Sequence, residues 1–134
     1  MPPETFAEQI RRALDASGDQ SRAALDHLQG LARELEQAVQ ADGLHVQVEP
    51  GYMVNAGLQG RVVLAIPSRN YRDVLFRAYI PAGGYPLSLD LYGEELIPCA
   101  DAQELREQVA AFLTRPDIVA RLNALRDIAS LPPT

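Results

Sequence analysis

The sequence predicts an α+β domain: N-terminal helices, an antiparallel β-meander of four to five strands, and two C-terminal helices packed on the sheet. Three observations predict it. Apolar and polar residues alternate with period two through residues 44–99, as side chains do along a strand. Apolar residues recur every third or fourth position at both ends of the chain, the helical period. The connections between successive strand segments are short, which favours antiparallel neighbours over crossovers.

The stretch Asn70–Tyr92 organises the rest. Its first half places Val74, Phe76, Ala78 and Ile80 on one face, against Tyr71, Asp73, Leu75, Arg77 and Tyr79 on the other. Its second half repeats the pattern, with Leu87, Leu89 and Leu91 inward and Ser88, Asp90 and Tyr92 outward. Pro81, Gly83, Gly84 and Pro86 separate the two, because proline cannot donate to a ladder and glycine accepts positive φ.

At the N-terminal end, Thr5 and Glu8 have capping-box spacing, and Phe6, Ile10 and Leu14 follow as a stripe, giving a helix over Thr5–Ala16. Ser17-Gly18-Asp19 predicts a break, since glycine costs ~1 kcal/mol in a helix interior relative to alanine. A second helix is expected from Asp19 to Gln40, with Gly43 just beyond its end. Its stripe is Leu25, Leu28, Leu31, Ala32, Leu35 and Val39. The leading reading is a core-facing stripe on the sheet. Leu25, Leu28, Leu35 and Val39 also fit heptad positions, so a homodimer seam is the alternative.

Leu44–Glu49 alternates as a half-exposed strand, Pro50-Gly51 reads as a turn, and Tyr52–Gly60 as a hairpin arm or loop. Arg61–Pro67 is a strand with Val62, Leu64 and Ile66 inward, tightly connected through Ser68-Arg69-Asn70. Gly93-Glu94 predicts a hairpin turn into a short strand, Glu95–Cys99, whose Pro98 marks a sheet edge. Asp101 and Glu104 then start a helix carrying Leu105, Val109, Phe112 and Leu113. Pro116 and Asp117 start the last one, which carries Ile118, Leu122, Leu125 and Ile128. The chain thus reads as one domain over 1–134: helical segment 5–41, meander 44–99, C-terminal helices 101–130.

Composition narrows the function. A chain of 134 residues buries roughly two-thirds of its unfolded surface. The net charge of −6 opposes a nucleic-acid partner, whose phosphates require a basic surface. All 12 basic residues are arginine, as expected for a GC-rich bacterial genome, so Schiff-base and P-loop lysines are excluded. The single cysteine, Cys99, excludes an internal disulfide and a cysteine-rich zinc site. The start, Met-Pro-Pro-Glu-Thr, has no basic-then-apolar pattern, so no signal peptide is expected, and no apolar run reaches membrane-spanning length. The expected location is the cytoplasm, with no cofactor, no metal and no membrane partner.

Candidate chemistry is sparse. Cys99 lies two residues before a helix N-cap, where the dipole can favour thiolate, though a small side chain packed at a strand end fits the same position. His27 and His45 fit no metal spacing and read as surface residues. The outward sheet face is more informative. It brings together His45, Gln47, Arg61, Val63, Ala65, Tyr71, Leu75, Arg77, Tyr79, Ser88 and Tyr92. Arginine and tyrosine among aliphatics is an interface composition, and such a face needs cover from the chain's own helices or from a partner. Arg61, Tyr71, Leu75, Arg77, Tyr79 and Tyr92 are the residues expected to bind that partner.

The run Phe76-Arg77-Ala78-Tyr79-Ile80-Pro81 followed by Tyr85-Pro86 resembles the strand and Tyr-Pro turn of ubiquitin-conjugating E2 enzymes and their non-catalytic RWD relatives. The resemblance implies an N-terminal helix, an antiparallel meander and C-terminal helices. The chain has no His-Pro-Asn motif and no second proline closely after Tyr85-Pro86, which favours the non-catalytic branch. The expected function is therefore an RWD-like protein-interaction adaptor. One alternative is an E2-like carrier forming a thioester at Cys99. The other is an acidic inhibitor or immunity protein that covers a basic partner.

Overall fold

The structure is a computed structural model and describes residues 3–52, 57–93 and 95–132. It is α+β, with a five-stranded antiparallel sheet and helices at both ends of the chain. Helix α1 (Phe6–Val39) opens with the expected capping box. Thr5 Oγ1 accepts from the Glu8 amide at 3.1 Å, and Glu8 Oε2 accepts from the Thr5 amide at 3.3 Å. The expected break at Gly18 does not occur: α1 is one helix of 34 residues, roughly 50 Å long. Its C-terminal half is held by core packing, so extending the helix through one glycine needs no new nucleus, and ~1 kcal/mol does not stop it.

A 3-10 turn at Gln40–Asp42 ends on Gly43 (φ +86°) and leads into the sheet. Strands β1 (His45–Tyr52), β2 (Gly57–Ile66), β3 (Tyr71–Pro81), β4 (Leu87–Asp90) and β5 (Ile97–Cys99) pair in chain order, each antiparallel to the next. Pro50-Gly51 is not a turn. It lies inside β1, which tolerates proline because it is an edge strand. Tyr52–Gly60 resolves into strand at both ends, while residues 53–56 lie outside the described residues, as does Glu94 of the expected Gly93-Glu94 turn. Helices α2 (Ala102–Leu113) and α3 (Pro116–Ser130) start at the Asp101 cap and at Pro116, as the sequence predicts.

A single core lies between sheet and helices. Ala24, Leu28, Ala32 and Val39 of α1, Leu105, Val109 and Phe112 of α2, and Ile118 and Leu125 of α3 meet the inward residues of the strands there. Phe76 and Phe112 pack edge to face, with ring centroids 5.9 Å apart. Leu25, Leu28, Leu35 and Val39, the alternative dimer seam, are used inside the chain: Leu28 and Val39 are buried, and Leu25 and Leu35 pack against the same core. Two glycines allow α1 to lie close. A Cβ at Gly60 would stand 2.7 Å from Leu28 Cδ2, and one at Gly84 (φ +82°) would collide with the Gln20 carbonyl.

The free edge of β1 is largely closed. Val46 N–H points away from β2 and donates to Glu36 Oε1 of α1 at 3.1 Å. Alternation of the ladder directs positions 48 and 50 the same way, and Pro50 has no N–H. The Val48 amide is left as the donor along that stretch, too little to template another strand.

Candidate functional site

The helices named above join the inner-face core, so the outer face of the sheet carries none of them as cover. Register defines that face row by row, since residues directly opposite in an antiparallel pair share a side. The central row runs Glu49–Arg61–Arg77–Asp90 across β1 to β4. Beside it runs Gly51–Gln59–Tyr79–Ser88–Pro98, reaching β5.

Arg61 and Arg77 therefore face each other directly, a like-charge pair that costs stability unless something neutralises it. Glu49 serves only one side. It lies 3.7 Å from Arg61 Nη2, and it also takes the Arg72 guanidinium. Reaching Glu49 from β3 carries the Arg72 side chain across β2 above Val63, which is buried although it belongs to the outer face. Arg77 Nε is buried without a hydrogen-bond partner. Asp90, opposite Arg77, has its Oδ1 engaged by the Tyr92 amide at 3.0 Å. The centre of the face thus holds two adjacent guanidiniums with incomplete neutralisation, next to the half-buried ring of Tyr79.

Arg61, Arg77 and Tyr79 lie on the outer face as expected. Leu75 and Tyr71 do not, and one irregularity explains both. Val62 pairs with Phe76, but Val63 pairs with Val74, so β3 carries an extra residue at Leu75. A bulge reverses the alternation. Leu75 goes into the core (1% exposed), Asp73 and Tyr71 share the side of Leu64 and Ile66, and Val74 turns outward. Asp73 then meets Arg121 of α3. Tyr92 follows β4 with φ +61°, and its hydroxyl donates to the Val74 carbonyl at the edge of β3 that β4 no longer covers. Burial pushes its phenol up, with Arg77 opposing.

No protein-family model, curated protein or solved structure matches this chain. Function has to be read from the side chains themselves.

Cys99 is fully buried, and burial, then Glu104 and Asp101, push its thiol up to about 11. Thiolate, the nucleophilic form, is thereby disfavoured near neutral pH. The helix dipole expected to favour thiolate does not prevail, because burial dominates and the Asp101 cap adds a negative charge beside the sulfur.

A groove of about 390 Å³ runs between α1 and α2, lined by Asp26, His27, Gly30, Glu34, Leu105 and Arg106. His27, Glu34 and Arg106 are engaged with one another or with neighbours. His27 Nδ1 is 2.8 Å from the Tyr85 hydroxyl, and Arg106 bridges Glu34 at 2.7 Å. The second histidine, His45, stands 3.3 Å from Glu36 beside the edge of β1. Among the described residues, no cluster of three or more His, Cys, Asp and Glu is placed to hold a metal ion, and no helix is long and apolar enough to cross a membrane. The His27–Tyr85 contact spans 58 positions, and no local pattern announces it.

Proposed function

We propose that the protein is a non-catalytic, RWD-like protein-interaction module of a bacterial cytoplasmic system, and that its partner binds the open sheet face. The observation that carries the reading is the directly opposed Arg61–Arg77 pair at the centre of that face, with Arg77 Nε buried and unbonded. A carboxylate laid across both guanidiniums would relieve their repulsion, and Tyr79 offers an aromatic surface beside it. The partner segment that fits is extended and acidic. The meander with its Tyr85-Pro86 turn between β3 and β4 agrees with the RWD-like assignment.

The buried, high-pKa Cys99 weighs against a thioester carrier, whose sulfur must be exposed and ionisable. The inhibitor reading keeps only the net charge of −6 in its favour. An array of extended peptides carrying Asp or Glu among apolar residues tests the proposal. Binding should fall at least tenfold in Arg77→Glu, weaken with added salt, and persist in Cys99→Ser. Acidic peptides that bind Arg77→Glu as well as the unaltered protein would remove the sheet face from the account.

A further inference from the structure

The first four turns of α1 project from the domain, which the helix first meets where the Gln20 backbone lies against Gly84. From Phe6 to Gln20 every side chain described is exposed, and Ser21 is the first buried residue of the helix among those described. This arm is roughly 22 Å long. It carries an apolar stripe into solvent: Phe6 is 78% exposed, Ile10 44% and Leu14 61%. A helix of this length is marginal in water without a packed face. Scattered exposed apolar residues are ordinary, but three in register on one helix face form a docking surface.

We infer that the arm pairs with the arm of a second copy, antiparallel, about a two-fold axis at Ile10. An isologous interface requires a patch that complements its own half-turn rotation. The arm has that symmetry. Reversal about Ile10 sets Phe6 opposite Leu14 and Ala7 opposite Ala13, a large ring against a branched chain with small residues on either side. The stripe contains no charge. Of the residues beside it, Gln9 is neutral and Arg11 lies 3.5 Å from Asp15 of its own helix.

The same reversal settles the fit of the globular parts. Ser21 of one copy falls beyond Thr5 of the other, so the two domains lie at opposite ends of the paired arms and do not collide. Overlap is confined to residues 5–15, a seam of about 16 Å. Such a seam stays below the ~1,200 Å² of stable complexes, so the association is weak and appears only at high protein concentration. This pairing is independent of the sheet face and leaves it open in both copies.

Sedimentation equilibrium from 10 µM to 1 mM tests the inference. The expected result is a monomer–dimer equilibrium that strengthens as salt rises, because an apolar seam here joins two copies that each carry −6. Ile10→Asp should weaken it at least tenfold, Ile10→Leu should retain it, and Arg77→Glu should leave it unchanged. Both positions lie outside the core, so circular dichroism should report unaltered folding of all three variants. A monomer at 1 mM overturns the inference, whether or not the arm is found to bind lipid vesicles. A dimer indifferent to Ile10→Asp, or one loosened by salt, overturns it as well.

Discussion

The two halves of α1 are written in the same local grammar and meet opposite fates. Phe6, Ile10 and Leu14 recur every fourth residue, as do Ala24, Leu28 and Ala32. The later set is sealed against the sheet, with Leu28 fully buried over Gly60, while the earlier set faces water. Periodicity therefore states which side of a helix is apolar and leaves open what covers it. The cover depends on where the sheet ends, a property of strand lengths and register that α1 does not encode.

Deleting a side chain from each half should break the symmetry most sharply. Leu28→Ala is expected to cost about 2–5 kcal/mol in urea denaturation, through lost transfer energy and the cavity left over Gly60. Ile10→Ala should change the stability of the dilute protein by no more than about 0.5 kcal/mol. Equal losses would mean that the arm packs on its own domain.

Raising the pH should loosen the core beneath the second half and spare the arm. The Cys99 thiol is held at about 11, against an ordinary value of 9.0, so between those limits the unfolded chain ionises and the folded one does not. Its contribution is complete below pH 9 and is lost progressively as pH rises toward 11, by up to about 1.4 kcal/mol per unit. The upward-shifted phenols of Tyr85 and Tyr92 act in the same sense at higher pH. The measurement is therefore the difference in melting temperature between the protein and Cys99→Ala across pH 8–11. Parallel curves would show the thiol to be ordinary.

A smaller, local effect belongs to the cap of the arm. Thr5→Ala removes the capping box and should cost about 1 kcal/mol, confined to the first turns of α1. Faster amide exchange at residues 8–14 with an unchanged global transition is the expected signature. A global shift would show the arm to be part of the cooperative unit.

Along the sheet, the same division between local pattern and tertiary context recurs. Val62, Leu64 and Ile66 alternate inward as their spacing requires, because one uninterrupted register holds β2 against β1. In β3 the spacing of Val74, Phe76, Ala78 and Ile80 is equally regular, yet Val74 turns outward and Leu75 inward. A bulge arises from pairing between two strands, so neither strand's sequence announces it. It withdrew Leu75 from the expected binding face and moved Tyr71, while Arg61, Arg77 and Tyr79, on the far side of the irregularity, stayed where alternation put them. The face lost its largest expected aliphatic contact and kept its charged centre.

By itself the sequence determined the α+β class, the order of the elements, the caps at Thr5 and Asp101 and the inward residues of β2 and β4. Each of these follows from short-range rules: side-chain period, capping chemistry and turn residues. Tertiary structure alone decided that α1 runs unbroken past Gly18, that Cys99 is sealed in the core, that Glu36 closes the edge of β1, and that Arg61 stands opposite Arg77. Those outcomes depend on groups distant in the chain meeting in a water-poor space, where packing and desolvation outweigh the roughly 1 kcal/mol preferences that local sequence can express.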